Sequence, residues 1–262
     1  MTFAPFDIAR SGLDAQSMRM RVIANNLANV NTTGFKRERA EFETLGYQVV
    51  TAPGATSSGD NRYATGLNLG TGVRVMGTGR LMNAGALQIS ENPLDLAIEG
   101  EGFFQVAQPD GTTAYTRAGN FHLSSEGKVV TGEGRPLQPD IQVPDGAQSI
   151  TIGADGTVTA LVAGSAEPSE LGKIEVARFA NSAGLQALGN NLYAATSASG
   201  TAQTGAPGSE GRGSVRQSAL EGSNVNIVQE LVDMIETQRA YEVNSKMISS
   251  TDEMLRNASQ QL

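Results

Sequence analysis

Both ends of this chain carry apolar residues at a spacing of seven, and that repeat limits what the chain can become more than any other feature. The series Phe6, Leu13, Met20, Leu27 interleaves with Ala9, Gln16, Ile23, Val30, so seven of eight core-type positions are apolar. Residues spaced in this way share one narrow stripe of an α-helix. Asn25, Asn26, Asn29 and Asn31, followed by Thr32, Thr33 and Gly34, supply turn chemistry that predicts a stop near residue 30. At the far end Ile227, Met234, Tyr241, Ile248 and Leu255 repeat at seven, with Val228, Leu231 and Ile235 widening the stripe, which predicts a second helix over about 225–258.

At 1.5 Å per residue such helices are roughly 40 and 50 Å long, too long for a small compact domain. A helix with a narrow apolar seam owes its stability to whatever covers that seam, so each needs a partner. Charge favours pairing of the two. Residues 1–40 carry six basic and three acidic side chains, net +3, whereas residues 221–262 carry seven acidic and three basic, net −4.

Between the helices the period changes. Asp110-Gly111, Glu126-Gly127 and Asp155-Gly156 punctuate short β-type runs, as hairpins require. Phe103 to Ala107 is expected to pair with Ala114 to Arg117, and His122-Leu123 with Lys128 to Thr131. Glycine at 31 of 262 residues and aromatics at 5% point to thin β layers with many turns, so residues 70–195 read as a mostly β body. Two stretches look loose, Thr51 to Asn68 and Ala194 to Gly213, the second dominated by Ala, Ser, Thr and Gly.

A formal charge of −8 and a pI near 4.8 leave no basic excess for a nucleic-acid partner. Without cysteine there are no disulfides and no thiolate metal sites. No stretch is apolar enough to span a membrane, and residues 1–16 lack the apolar core of a cleaved signal peptide. Gly-x-Gly fragments start at Gly70, Gly77, Gly100, Gly132 and Gly211, but the fifth residue after each is Val75, Met82, Gln105, Leu137 or Arg216, so none completes a dinucleotide fingerprint. Phosphate loops, nucleophile elbows and His-Glu-x-x-His are absent, and the single histidine, His122, lies between Phe121 and Leu123 like a strand residue. Asp95, Glu99 and Glu101 differ by even numbers and would share a face of one continuous strand, which keeps a carboxylate-based cell-wall enzyme in view as an alternative. A monomeric β binding module tied by a helical hairpin is another.

Three segments carry a resemblance: ANNLANVNTTGFKR (24–37), NPLDLAIEGEGFFQV (92–106) with YTRAGNF (115–121), and LEGSNVNIVQELVDMIETQRAYEVNSKMIS (220–249). In this order they resemble the flagellar rod and hook protein family over essentially the whole chain, and within it the distal-rod branch most closely; Ala118 and Asn120 depart from the expected middle motif. The resemblance implies an α+β fold in which the long N- and C-terminal helices pair in a coiled-coil-like layer around an export channel, with a mostly β central domain outside. The expected organisation is 1–45 for the first helix and turn, 46–73 for an extended rod-type insertion, 74–200 for the β domain, 201–220 for a flexible linker and 221–262 for the second helix.

It further implies a structural subunit, with no cofactor and no catalytic or metal site, that polymerises into a straight hollow rod and transmits torque; proximal rod and hook subunits are the alternatives within the family. The expected partners are further copies in a helical homopolymer, proximal rod subunits, the hook protein, the surrounding L- and P-ring proteins and, in transit, the flagellar export apparatus, which would pass the chain unfolded without signal cleavage. The expected assembly interface is Leu13, Met20, Ile23 and Leu27 on the first helix and Ile227, Leu231, Met234, Tyr241, Ile248 and Leu255 on the second. Asn25, Asn26 and Asn29 suit either interface contacts or hydrogen bonding at the helix end. The 46–73 segment is expected to add intersubunit contacts that keep a rod straight.

Overall fold

The structure, a computed structural model, describes residues 4–58, 61–163 and 167–260. The chain divides into two compact units, one built from residues 1–27, 38–79 and 227–262, the other from residues 28–37 and 80–226.

The first unit contains both helices. Helix α1 is Ala4–Ala28 and helix α2 is Ile227–Gln260, 25 and 34 residues long, close to the bounds that the repeats predict. Strand Glu38–Thr44 pairs with Val73–Arg80, and Tyr47–Thr51 pairs antiparallel with Leu67–Gly70 as a two-stranded ribbon. One close approach joins this β layer to α1. The Val73 amide donates to Ser11 Oγ at 3.2 Å, and a Cβ on Gly72, at φ +119°, would lie 2.3 Å from that oxygen, so only glycine fits there.

The second unit is built on an antiparallel sheet whose strands run in space Gln186–Gly189, Leu192–Ala194, Thr113–Thr116, Phe103–Ala107, Val176–Arg178, Gln203–Gly205. Phe103–Ala107 is its centre. One edge pairs with Thr113–Thr116; the other is shared, Phe103 and Phe104 pairing with Ala177 and Val176, and Gln105 and Val106 with Gln138 and Leu137. Alternation along this strand fills two cores. Phe104 and Val106 join Leu96, Ile98, Phe121, Leu137, Ile141 and Ile174, while Phe103 joins Tyr115, Phe179, Leu185 and Tyr193. In the second core Tyr115 and Phe179 meet edge to face with ring centroids 4.8 Å apart.

The expected hairpins form, with Thr113–Thr116 on Phe103–Ala107 and His122–Leu123 on Val129–Val130. Asp110 turns the first of these, and Asp155 turns a third, Ala147–Ile152 on Thr157–Val162. Asp110 Oδ1 accepts from the Thr112 amide at 2.9 Å and Asp155 Oδ1 from the Thr157 amide at 3.2 Å, and bonds to these threonines hold both carboxyls below their ordinary pKa.

Residues 201–220 differ from the linker expected there. They carry strands Gln203–Gly205, Ser214–Gln217 and the start of Ala219–Glu221, with Arg212, Val215 and Ala219 buried. Ser214–Gln217 pairs with Leu96–Glu99, and Ala219–Glu221 with Leu87–Ile89. Small residues in this segment serve close packing rather than looseness: a Cβ on Gly213 would stand 2.6 Å from the Glu99 carbonyl oxygen. The β body accordingly continues through residue 226 and takes in residues 28–37.

Candidate functional site

Helices α1 and α2 meet antiparallel, since contacts on α1 climb from Gly12 through Arg19 to Asn26 as those on α2 fall from Asn244 through Asp233 to Glu230. Asn26 Nδ2 donates to Glu230 Oε2 at 3.2 Å, and Arg19 Nη2 lies 3.8 Å from Asp233 Oδ1. A Cβ on Gly12 would fall 2.9 Å from Asn244 Nδ2. Asn26 also brackets the strand that follows α1, donating to the Glu38 carbonyl at 2.7 Å and accepting from the Glu38 amide at 2.9 Å. Among the described residues of α2, Glu230 and Thr237 are buried, 0% and 1% exposed, and Thr237 Oγ1 donates to the Asp233 carbonyl at 2.6 Å.

This arrangement inverts the usual amphipathic helix. The apolar residues Ile227, Val228, Leu231, Val232 and Ile235 are 44–71% exposed, and Tyr241, Val243, Met247 and Met254 are exposed further along. Of the heptad residues on α2, Met234 and Ile248 are half-buried, and they stand four residues after Glu230 and Asn244, on the same side of the helix. Glu230, Thr237 and Asn244 on that side are themselves seven apart, a polar repeat that a search for apolar residues alone passes over.

Of the expected interface residues, Ile23 is buried on α1, and Leu13, Met20 and Leu27 are half-buried. Ile227, Leu231 and Tyr241 are exposed, and Met234 and Ile248 half-buried; the side chain of Leu255 lies outside the described residues. Asn25 is exposed, Asn26 is buried, and Asn29 accepts from Thr32 Oγ1 at 3.1 Å in the turn after the helix. Asn26 and Asn29 thus both hydrogen-bond within the chain.

The second unit holds a cluster of charge that sequence reasoning missed. Lys36 Nζ donates to Glu221 Oε1 at 2.6 Å and to the Asn83 carbonyl at 2.7 Å; Arg117 Nη1 donates to Glu221 Oε2 at 2.9 Å and to the Ile98 carbonyl at 3.2 Å. The Gly85 amide completes Glu221 Oε1 at 2.9 Å. All three charged side chains are buried. Burial pushes the Lys36 ammonium below its ordinary 10.5, and the Glu221 carboxylate opposes that push. Asn224 ties the same segments again. Its Oδ1 accepts from the Arg37 amide at 2.6 Å, and its Nδ2 donates to the Leu81 and Asn83 carbonyls at 2.8 and 3.0 Å. Residues 34–37, which follow α1, and 221–224, which precede α2, are in this way bound to one another and to residues 81–85. A faint local signal exists for Glu221: it alternates with the buried Ala219 on a short strand, so it must point inward with it.

The carboxylates weighed for catalysis each have their own partners. Asp95 accepts from Ser90 Oγ and from Asn92 Nδ2, Glu99 pairs with Arg216 at 2.8 Å, and Glu101 with Arg178 at 2.9 Å. His122 is exposed on its strand. Among the described residues no group of three or more His, Asp or Glu side chains is placed to hold a metal ion, and no helix is long and apolar enough to cross a membrane.

Comparison with known families gives three matches along the chain: flagella basal body rod protein at residues 6–36, flagellar hook protein FlgE/F/G D1 domain at 97–160, and flagellar basal body rod FlgEFG protein C-terminal at 216–261. The chain is 48% identical to the flagellar basal-body rod protein FlgG of Buchnera aphidicola, with 97% of each chain covered. It is 46% identical to the protein of that name from Caulobacter vibrioides over 96% of this chain and 97% of the other, and 47% identical to that of Borreliella burgdorferi over 94% of each. The outer matches fall on the two helices with their flanking segments, and the middle one on the central β unit, so the chain belongs to the flagellar rod and hook protein family.

Proposed function

We propose that this chain is the structural subunit of the distal rod of the bacterial flagellar basal body. Near-full-length identity to proteins named FlgG supports the rod assignment, and the observation that carries self-assembly is the outward apolar face of α2. Five aliphatic side chains within nine residues are exposed, and in water such a surface calls for a partner. Copies arranged head to tail about a helical axis supply one without closing into a ring.

In the assembled rod, α1 and α2 form a coiled-coil-like inner layer around a channel. The rod spans the periplasm, is continuous with proximal rod subunits at one end and the hook at the other, and turns within the L- and P-ring proteins. The chain reaches its place unfolded through the flagellar export apparatus, without signal cleavage. Interlocked helices resist sliding between subunits, which is what a torque-bearing shaft requires.

Electron cryotomography of cells with this gene deleted in frame tests the reading. A basal body with a shortened rod and no hook is expected. A complete rod lacking only its hook would reassign the chain to the hook, loss of the rod from its base would make it a proximal subunit, and intact flagella would remove the function altogether.

A further inference from the structure

We propose that the second unit carries a binding site for a small organic acid, a single carboxylate bearing an aromatic or alkyl group, whose anionic end is held by Arg117. Such a site belongs to this unit alone and adds to the rod role rather than replacing it.

A cavity of about 520 Å³ lies wholly among residues of the second unit, with Arg117 and Arg178 in its wall. Cavities of a few hundred Å³ that combine apolar lining with a few polar groups are the kind that small ligands fill. Arg117 is 4% exposed. Its Nη1 donates to Glu221 and to the Ile98 carbonyl, but among the described residues its Nε has no acceptor. A buried N–H of a charged group left without an acceptor is costly, so the position favours any acceptor that reaches it. Nε and Nη2 share one edge of the planar guanidinium, and Nη2 donates to the Gly100 carbonyl at 2.5 Å. Gly100 belongs to the cavity wall, so the edge with the spare N–H is turned toward that wall.

Charge selects the ligand. Lys36, Arg117 and Arg178 are three cations paired with two anions, Glu221 and Glu101, which leaves one positive charge over. A cation is disfavoured there, and a singly charged anion completes the balance. A carboxylate on a guanidinium N–H makes a charge-assisted bond, and exclusion of water strengthens it. The rest of the ligand meets carbon, because Met82, Phe103, Phe179 and Ala180 line the same cavity. An inorganic anion would leave that apolar lining without contact.

Titration of hydrocinnamate into the purified full chain, followed by calorimetry and by proton–nitrogen spectra of the arginine Nε–H groups, tests this. The Arg117 signal is recognised by its Overhauser contact with Phe103, whose ring centroid lies 5.6 Å from the Arg117 Cζ. Binding should move that proton downfield. Hydrocinnamamide, of the same shape without the charge, and inorganic phosphate should each bind about tenfold more weakly or worse. Ala180→Trp, at an exposed position of the wall, should abolish binding with the melting temperature unchanged. If that variant melts below wild type, Ala84→Trp, at a second exposed wall position, gives the same test. An unmoved Arg117 signal, equal affinity for the amide, or full binding by a stably folded tryptophan variant would overturn the site. Phosphate binding as tight as that of the acid would show a bare anion hole and overturn the assigned ligand class.

Discussion

Lys36, Glu221 and Arg117 place three charges where water does not reach, and Glu221 is the shared anion. Removing it strands two cations. Glu221→Gln should therefore lower unfolding free energy by about 3–5 kcal/mol, the usual cost of breaking a buried pair. Lys36→Met should cost less, because Arg117 still neutralises the carboxylate; urea denaturation of both variants checks the order. Lys36 also adds a pH dependence. Its pKa is lowered in the folded chain, so below 10.5 there is a window in which the unfolded chain holds the proton more tightly, and stability rises with pH across it. The Lys36→Met protein should lose that rise, which denaturation midpoints measured in parallel from neutral to alkaline pH would reveal. Gly34 and Gly134 make a second contrast, at φ +69° and +79°. A Cβ on Gly34 would stand 2.7 Å from the backbone of Arg117 and Ala118, while one on Gly134 meets nothing within 4 Å. Gly134→Ala should cost about 1 kcal/mol from backbone strain alone, and Gly34→Ala clearly more, as thermal melts would report.

At the scale of elements, the ribbon Tyr47–Thr51 with Leu67–Gly70 stands out, because Tyr47, Val49, Val50, Leu67 and Leu69 are all exposed on it. A lone two-stranded ribbon is marginal in water. In the proposed rod, neighbouring copies cover it and stiffen the joint between subunits; deleting residues 46–73 should leave a rod that bends in micrographs, and an unchanged straight rod would refute that role. The elements themselves were largely legible in the sequence. Heptads located α1 and α2, and Asp-Gly turns located the hairpins, because both signals are local. Helix rotation was not legible. The apolar repeat of α2 marks a face without naming what covers it, and the polar repeat at Glu230, Thr237 and Asn244 lies beside it on the same side of the helix. Residues 201–220 misled for a related reason: small side chains read as flexibility in a sequence, yet they also permit the close strand contacts seen around Gly213.

For the whole molecule, a charge of −8 keeps copies apart at neutral pH, and the apolar faces must overcome that repulsion to associate. Lowering the pH toward the pI of about 4.8 should promote association of purified subunits, seen as a rise in light scattering, whereas Leu231→Gln with Ile235→Gln should blunt it. The buried charge cluster has a consequence in time. Lys36 and its anion are 185 residues apart in the chain. A polypeptide delivered N-terminus first presents a solvated, unpaired ammonium until a further 185 of its 262 residues have followed, and residues 34–37 cannot lock before then. Long-range closure of this kind is slow to nucleate and late to finish. It makes the fold a terminal event, so a chain still being threaded through a narrow passage remains thread, and becomes a rigid part only once its last helix is free.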